Sequence, residues 1–299
     1  MNDSVTHNWK TTIIVNDDFF DYGLYNAIIN IIGVITNSFA IYISLTVNVL
    51  KTRSKLLVIG MKASTLFASL VPFCLNCFYF YFYCTREEVN FVLCNVILKL
   101  GYHCQIPGLW SVLVVATDRF FLLTLKKELA RQLLICLFIL PLFYVGAILS
   151  VEMQATNVRP DHICSISLTS TFWVNNITLF LWSASVFFAT LFSCCVLYSV
   201  SQMKVTYMVT KSRIQMHKRI AWTVFLQSIL PSFISLPLLS FLVVKAYGTA
   251  WSDLVLWFCN ASMFIYFAVS PIITVMAIKK YRLATKQLFI GLLRKTRIF

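Results

Sequence analysis

"LVVATDRFFLLTLKK" (residues 113–127) is the stretch on which the fold turns. A nearly pure apolar run ends in an adjacent acid and base, Asp118-Arg119, becomes apolar again, and closes on Lys126-Lys127. A charge pair in such a setting has a different meaning in water than at the edge of a bilayer, so the solvent has to be identified first. The whole chain of 299 residues is 59% hydrophobic and only 12% charged, far outside the usual soluble range. One core could not bury that much apolar surface, so most of it must face lipid. The 26 Phe, 13 Tyr and 7 Trp fit a membrane protein with aromatic belts at its interfaces.

A formal net charge of +14 would suggest nucleic acid in a soluble protein. Here the bases lie in short segments between apolar blocks and build no basic patch with interleaved aromatics, so no nucleic-acid partner is expected. The partner they imply is the lipid bilayer. Residues 1–20 are polar and acidic and do not read as a cleavable leader.

A helix needs roughly 20 apolar residues to cross the hydrocarbon. Seven such blocks are expected, at about 22–49, 56–83, 93–117, 132–152, 173–200, 220–244 and 252–277. Continuous apolarity over helical lengths, without alternation, argues against a barrel. The fold class expected is therefore an all-α membrane protein, a single domain over 1–299 built as a seven-helix transmembrane bundle. Its third span is the weakest, because "KLGYHCQIPG" (residues 99–108) interrupts it.

Nineteen of the 25 Lys and Arg fall in alternate inter-span segments together with the tail at 278–299. The opposite set holds Lys10, Arg86, Arg159 and Lys245 against nine acids. By the positive-inside rule the N-terminal segment, 1–21, is expected outside and the tail inside. Asp118-Arg119 then sits at the inner end of span three. Cys94 lies 25 residues earlier, roughly 37 Å along a helix, at the outer mouth of the same span. Cys164 is the lone cysteine of the longest outer loop, on the same oxidising side, so a Cys94–Cys164 bond is plausible, with Cys84 the alternative partner.

Seven spans, an outer Cys on span three, 24 intervening residues and an Asp-Arg pair together resemble a rhodopsin-like G-protein-coupled receptor. Asn37 follows Gly33 in span one as the family's first-helix Asn does. Phe225 precedes Pro231 by six residues in span six, and "SPIITV" sets Pro271 where the family has its Asn-Pro motif. Gln227 with Pro231 and Pro237, and Pro271 followed by Tyr281-Arg282, make the chain most similar to nematode serpentine chemoreceptors. The resemblance covers essentially the whole chain. It implies a Cys94–Cys164 disulfide, a G-protein coupling role for Asp118 and Arg119, and bundle-shaping roles for Asn37, Phe225, Pro231 and Pro271. It also implies a small-molecule or odorant-like ligand, a heterotrimeric G protein as partner, and residence in the plasma membrane, the ciliary membrane of sensory neurons included.

The chain departs from that family at several positions. Span two carries no carboxylate, Ile229 stands in place of the span-six Trp, and Ser270 in place of the span-seven Asn. Gly101 occupies the position where amine receptors carry Asp, so a biogenic amine is not the expected ligand. No acid lies at the inner end of span six, so any resting lock on Arg119 is expected to be local to Asp118 and basal signalling leaky.

Within the broken span three, Tyr102, Gln105 and Ile106 share a helical face. With Phe233 on span six and Asn260 and Met263 on span seven they are the candidate ligand residues, for a small and neutral or apolar molecule. Lys62 and Lys99 are expected to snorkel to the membrane edges. Tyr281, Ala284, Leu288 and Leu292 among bases predict a short amphipathic helix along the inner leaflet. No nucleophile–base–acid constellation and no metal-ligand spacing is present, so neither catalysis nor a cofactor is expected. A small polytopic transporter and a ligand-gated chemosensory channel are the alternative functions, and no oligomeric state can be read from the residues.

Overall fold

The computed structural model describes residues 12–17, 19–46, 52–154, 158–160, 163–164, 166–168, 172–203, 211–246 and 252–296. In lipid each backbone N–H and C=O must be satisfied within its own segment, and the apolar blocks accordingly close into helices. These are α1 (Phe19–Thr46), α2 (Thr52–Thr85), α3 (Phe91–His103), α4 (Gln105–Leu123), α5 (Arg131–Glu152), α6 (Phe172–Ser201), α7 (Lys211–Ala246), α8 (Ser252–Ala277) and α9 (Lys279–Thr296). The interruption expected in span three is a one-residue joint at Cys104 between α3 and α4. Its cause is Pro107, which has no N–H to give the carbonyl of His103 four residues back.

Among the described residues, five segments are long and apolar enough to cross a membrane by themselves: Phe19–Thr46, Arg53–Thr85, Phe91–Leu123, Arg131–Glu152 and Asn176–Ser201. The end of α8 with α9 makes a sixth candidate, bent by 100° at their junction. The chain is thus a membrane-embedded all-α protein. The weak hydropathy of span three also has a reason: 67% of its apolar window is buried, against 22–39% in the other four. Within it α4 packs on α2, α5, α6 and α7, so this span sees protein rather than lipid. Close approach is built in at Gly108, where a Cβ would lie 2.5 Å from the ring of Phe267.

Prolines inside the helices organise the rest. Each removes one N–H and leaves the carbonyl four residues earlier without its donor, a costly vacancy in lipid. Pro271 frees the carbonyl of Phe267, and Asn37 of α1 donates to it at 3.0 Å. Pro231 frees the carbonyl of Gln227, and the Tyr266 hydroxyl of α8 donates to it at 3.0 Å. Pro141 frees the carbonyl of Leu137, and the indole N–H of Trp110 on α4 donates to it at 2.9 Å. Three vacancies therefore become three inter-helix hydrogen bonds, α1 to α8, α8 to α7 and α4 to α5.

At one end, short strands cap the bundle. β1 (Thr12–Ile13) pairs antiparallel with β2 (Val89–Asn90), and β3 (Val158–Pro160) with β4 (Ile166–Leu168). At the other end α9 turns aside from α8 and buries Tyr281 and Ala284 against Ile43 of α1, with a 3.0 Å bond between the Tyr281 and Ser44 hydroxyls. Arg282 and Lys286 stay exposed, as an amphipathic helix requires.

Replacing Trp110 by Phe should cost about 1–3 kcal/mol by leaving the Leu137 carbonyl unsatisfied. In a Pro141→Ala background, which restores the missing N–H, the same replacement should cost much less. Thermal unfolding of the four proteins in detergent measures this cycle; additive losses would refute the pairing.

Candidate functional site

Two cavities and a polar seam lie along the axis set by α3 and α4. The first cavity is at the strand-capped end. There Cys94 of α3 is bonded to Cys164, 70 residues on, and the N-terminal segment is threaded over the join. Val15 bridges to Cys164, and the N–H of Asn16 reaches the carbonyl of Ile163 at 2.9 Å. Asn95 accepts a 2.6 Å bond from the N–H of Leu168, which fixes the hairpin to α3. Beneath this cap is a cavity of about 50 Å³.

Of the six ligand residues expected from the sequence, Tyr102 and Gln105 line that cavity. Ile106 and Met263 are buried and not on the cavity wall, Met263 completely so within the central apolar core. Phe233 was expected to face inward and instead is 66% exposed on the outside of α7, because two residues, about 200° of helical turn, separate it from Pro231 on the buried face. The side chain of Asn260 lies outside the described residues. The wall that sequence reasoning missed comes from α1 and α2, with Asn26 and Asn76. Their polar character inside apolar helices was a usable signal.

The seam occupies the centre. Asn37 accepts from the Thr65 hydroxyl at 2.5 Å while its amide bonds the carbonyls of Gly33 and Phe267. Gln227 donates to the backbone of Ser270 and, at 2.7 Å, to the Thr274 hydroxyl. Lys62 does not snorkel: it is fully buried, and its Nζ donates to the Ser270 hydroxyl at 2.9 Å, with no carboxylate paired to it among the described residues. Lys99 does not snorkel either. It is 3.5 Å from Glu152 of α5, whose other oxygen takes His103 at 2.9 Å, a buried cluster with both partners on α3. The sequence analysis missed this cluster because Glu152 reads as a span-end acid.

At the opposite end the local lock on Arg119 is corrected. Asp118 is fully buried and pairs with Arg53 of α2, whose Nε is 3.0 Å away. A second nitrogen of Arg53 reaches Glu128 at 3.3 Å. Arg119 donates to the Ser54 hydroxyl at 3.0 Å, and its Nε has no partner. Both side chains are thus held from α2, Asp118 by Arg53 and Arg119 by Ser54. Arg119 also lines a second cavity of about 40 Å³, together with Gln227 and Thr274 of the seam. Phe225 is half-buried and meets Trp222 edge-on at 5.6 Å. Among the described residues no three His, Cys, Asp or Glu come together as metal ligands. No protein-family model matches the chain, and no curated protein matches it.

Lys62→Met should be neutral or stabilising by about 1–3 kcal/mol, because an uncompensated buried ammonium is exchanged for a thioether of similar length. Ser270→Ala should cost about 1–3 kcal/mol alone and clearly less in the Lys62→Met background. Thermal unfolding reads both; a strongly destabilised Lys62→Met would mean that the ammonium holds the bundle together.

Proposed function

We propose that the chain is a seven-helix chemosensory receptor of the G-protein-coupled kind, with the disulfide end outside and the Arg119 end facing a heterotrimeric G protein. The observation that carries this reading is the span of α3 and α4. It is anchored at one end through Cys94–Cys164 beside a cavity and carries Asp118-Arg119 at the other end beside a second cavity. The ligand is a small external molecule entering the first cavity. All seven helices from α1 to α8, with α3 and α4 counted as one, cross the plasma membrane, and α9 lies along its inner surface among the bases of the tail.

The Arg53–Asp118 pair supports a resting state held by α2. Arg119 in that state is retained by Ser54 and is turned toward the second cavity, where an opening between α4 and α7 would expose its fork of donors to backbone carbonyls of a docked helix. Ligand favours the open arrangement to the extent that it binds that arrangement better.

Expressed with a promiscuous G protein, Asp118→Asn should raise basal signalling about 5-fold or more, since an interaction of about 1 kcal/mol shifts a two-state equilibrium by that factor. Arg53→Ala should do the same, and Arg119→Ala should abolish the response to any agonist found by screening volatile and soluble cues. An Arg119→Ala protein that signals like wild type at equal surface expression would sink the coupling role.

A further inference from the structure

Among the polar groups of the helices, three carboxamides stand apart. Asn26 of α1, Asn76 of α2 and Gln105 of α4 all line the cavity at the disulfide end and are only 2%, 7% and 4% exposed. Asn26 Oδ1 is a buried acceptor without a partner. The side chains of Asn76 and Gln105 make no hydrogen bond to any described residue. Elsewhere the seam satisfies its members, as Asn37 and Gln227 demonstrate. Buried polar groups are ordinarily hydrogen-bonded, so a buried open acceptor and two carboxamides that face one cavity without a bond to any described residue call for something inside it.

The chemistry of the lining narrows what that is. Each carboxamide offers both donors and an acceptor, and Asn26 presents an open acceptor. Among the described residues no Lys, Arg, His, Asp or Glu lines the cavity. The nearest charged cluster, Lys99 and His103, turns to Glu152 on α5 instead. An ionised ligand head would thus be buried without a counter-charge, which is strongly unfavourable. Apart from Tyr79, whose hydroxyl is given to the Cys94 carbonyl, and Tyr102, the remaining wall is apolar, including Pro72, Leu75 and Phe264. About 50 Å³ admits a handful of heavy atoms, so a small head group is seated and a chain can extend toward the opening.

We propose that this cavity binds small neutral molecules whose head carries a hydrogen-bond donor and acceptor together, a hydroxyl or carboxamide on a short alkyl chain. Asn26, Asn76 and Gln105 read the head, and the α1–α2 side of the cavity sets specificity. The inference rests on the receptor reading for which face the ligand reaches, and on nothing in the G-protein step.

The test uses the full chain purified into lipid nanodiscs, with hexanamide, 1-hexanol, hexane and hexylammonium as probes and ligand-observed NMR with thermal unfolding as readouts. Hexanamide and 1-hexanol should bind and raise Tm; hexane and hexylammonium should not. N76L and Q105L should each weaken hexanamide by about 5- to 20-fold, the range for one neutral hydrogen-bonding group. Q105E should gain hexylammonium binding, a positive outcome that a merely damaged protein cannot give. Equal binding of hexane and hexanamide, or hexanamide affinity within about 2-fold of wild type in both Leu variants, overturns the proposal. So does a folded Q105E that ignores hexylammonium. Carboxamide-dependent binding in nanodiscs with no G-protein response in cells would sink the receptor reading and leave this one standing.

Discussion

The bundle is held by hydrogen bonds to carbonyls that its own prolines have left open. In water such a vacancy is filled by solvent and has little consequence; in hydrocarbon the unsatisfied carbonyl costs several kcal/mol unless the protein supplies a donor. Asn37, Tyr266 and Trp110 supply donors from neighbouring helices, and each bond fixes both the rotation and the height of one helix against another. The seam depends on two of them. Asn37 holds α1 on α8, so that its oxygen meets Thr65 of α2, and Tyr266 holds α8 on α7, so that Gln227 meets Ser270 and Thr274. Once α2 and α8 are fixed in this way, Ser270 faces Lys62. The buried ammonium is thus a consequence of helix placement more than a cause of it.

What the sequence made legible is what residue type alone can specify. Long apolar blocks must be helices in lipid, so the helix ranges could be read directly, and Asn37, Pro231 and Pro271 announced themselves as polar or donor-less positions inside them. The Cys94–Cys164 bond was readable because Cys164 is the lone cysteine of the longest outer loop and Cys94 lies at the outer mouth of span three, although Cys84 on the same side was an alternative partner. What stayed hidden depends on helical phase across large separations. Arg53 and Asp118 are 65 residues apart and look like two span-end charges until α2 and α4 are packed side by side. A helical period of 3.6 residues also means that two positions move a side chain by about 200°, which is why Phe233 faces out while Pro231 faces in. The α1–α2 wall of the first cavity was missed for the same reason, since Asn26 and Asn76 could equally have bonded one another's backbones.

The ion pairs are distributed unevenly. Glu152 gathers Lys99 and His103 near the disulfide end, and Arg53 gathers Asp118 and Glu128 near the other, while among the described residues the seam between them holds Lys62 and no carboxylate. Both clusters join a neighbouring helix to the span of α3 and α4, α5 in the first case and α2 in the second. That span is therefore gripped at each end by desolvated charges whose separation would be expensive, and in its middle by the Trp110 bond and the Gly108 contact.

Such a layout limits how the two cavities can communicate. Gln105 and Arg119 are 14 residues apart on α4, about 21 Å along the axis and nearly in phase, so one face of one helix borders both cavities. α4 itself is an unpromising moving part, because sliding it would break the grip at Arg53 and the fit of Gly108 against Phe267 together. The seam is a better one. Gln227 and Thr274 line the second cavity and meet at Ser270, whose hydroxyl oxygen Lys62 also reaches from α2. A hydroxyl oxygen accepts two hydrogen bonds, so either donor can leave while the other still holds Ser270. A displacement of α7 that withdrew Gln227 would leave Ser270 to Lys62 and open the wall beside Arg119, without disturbing the proline-linked bond between α1 and α8.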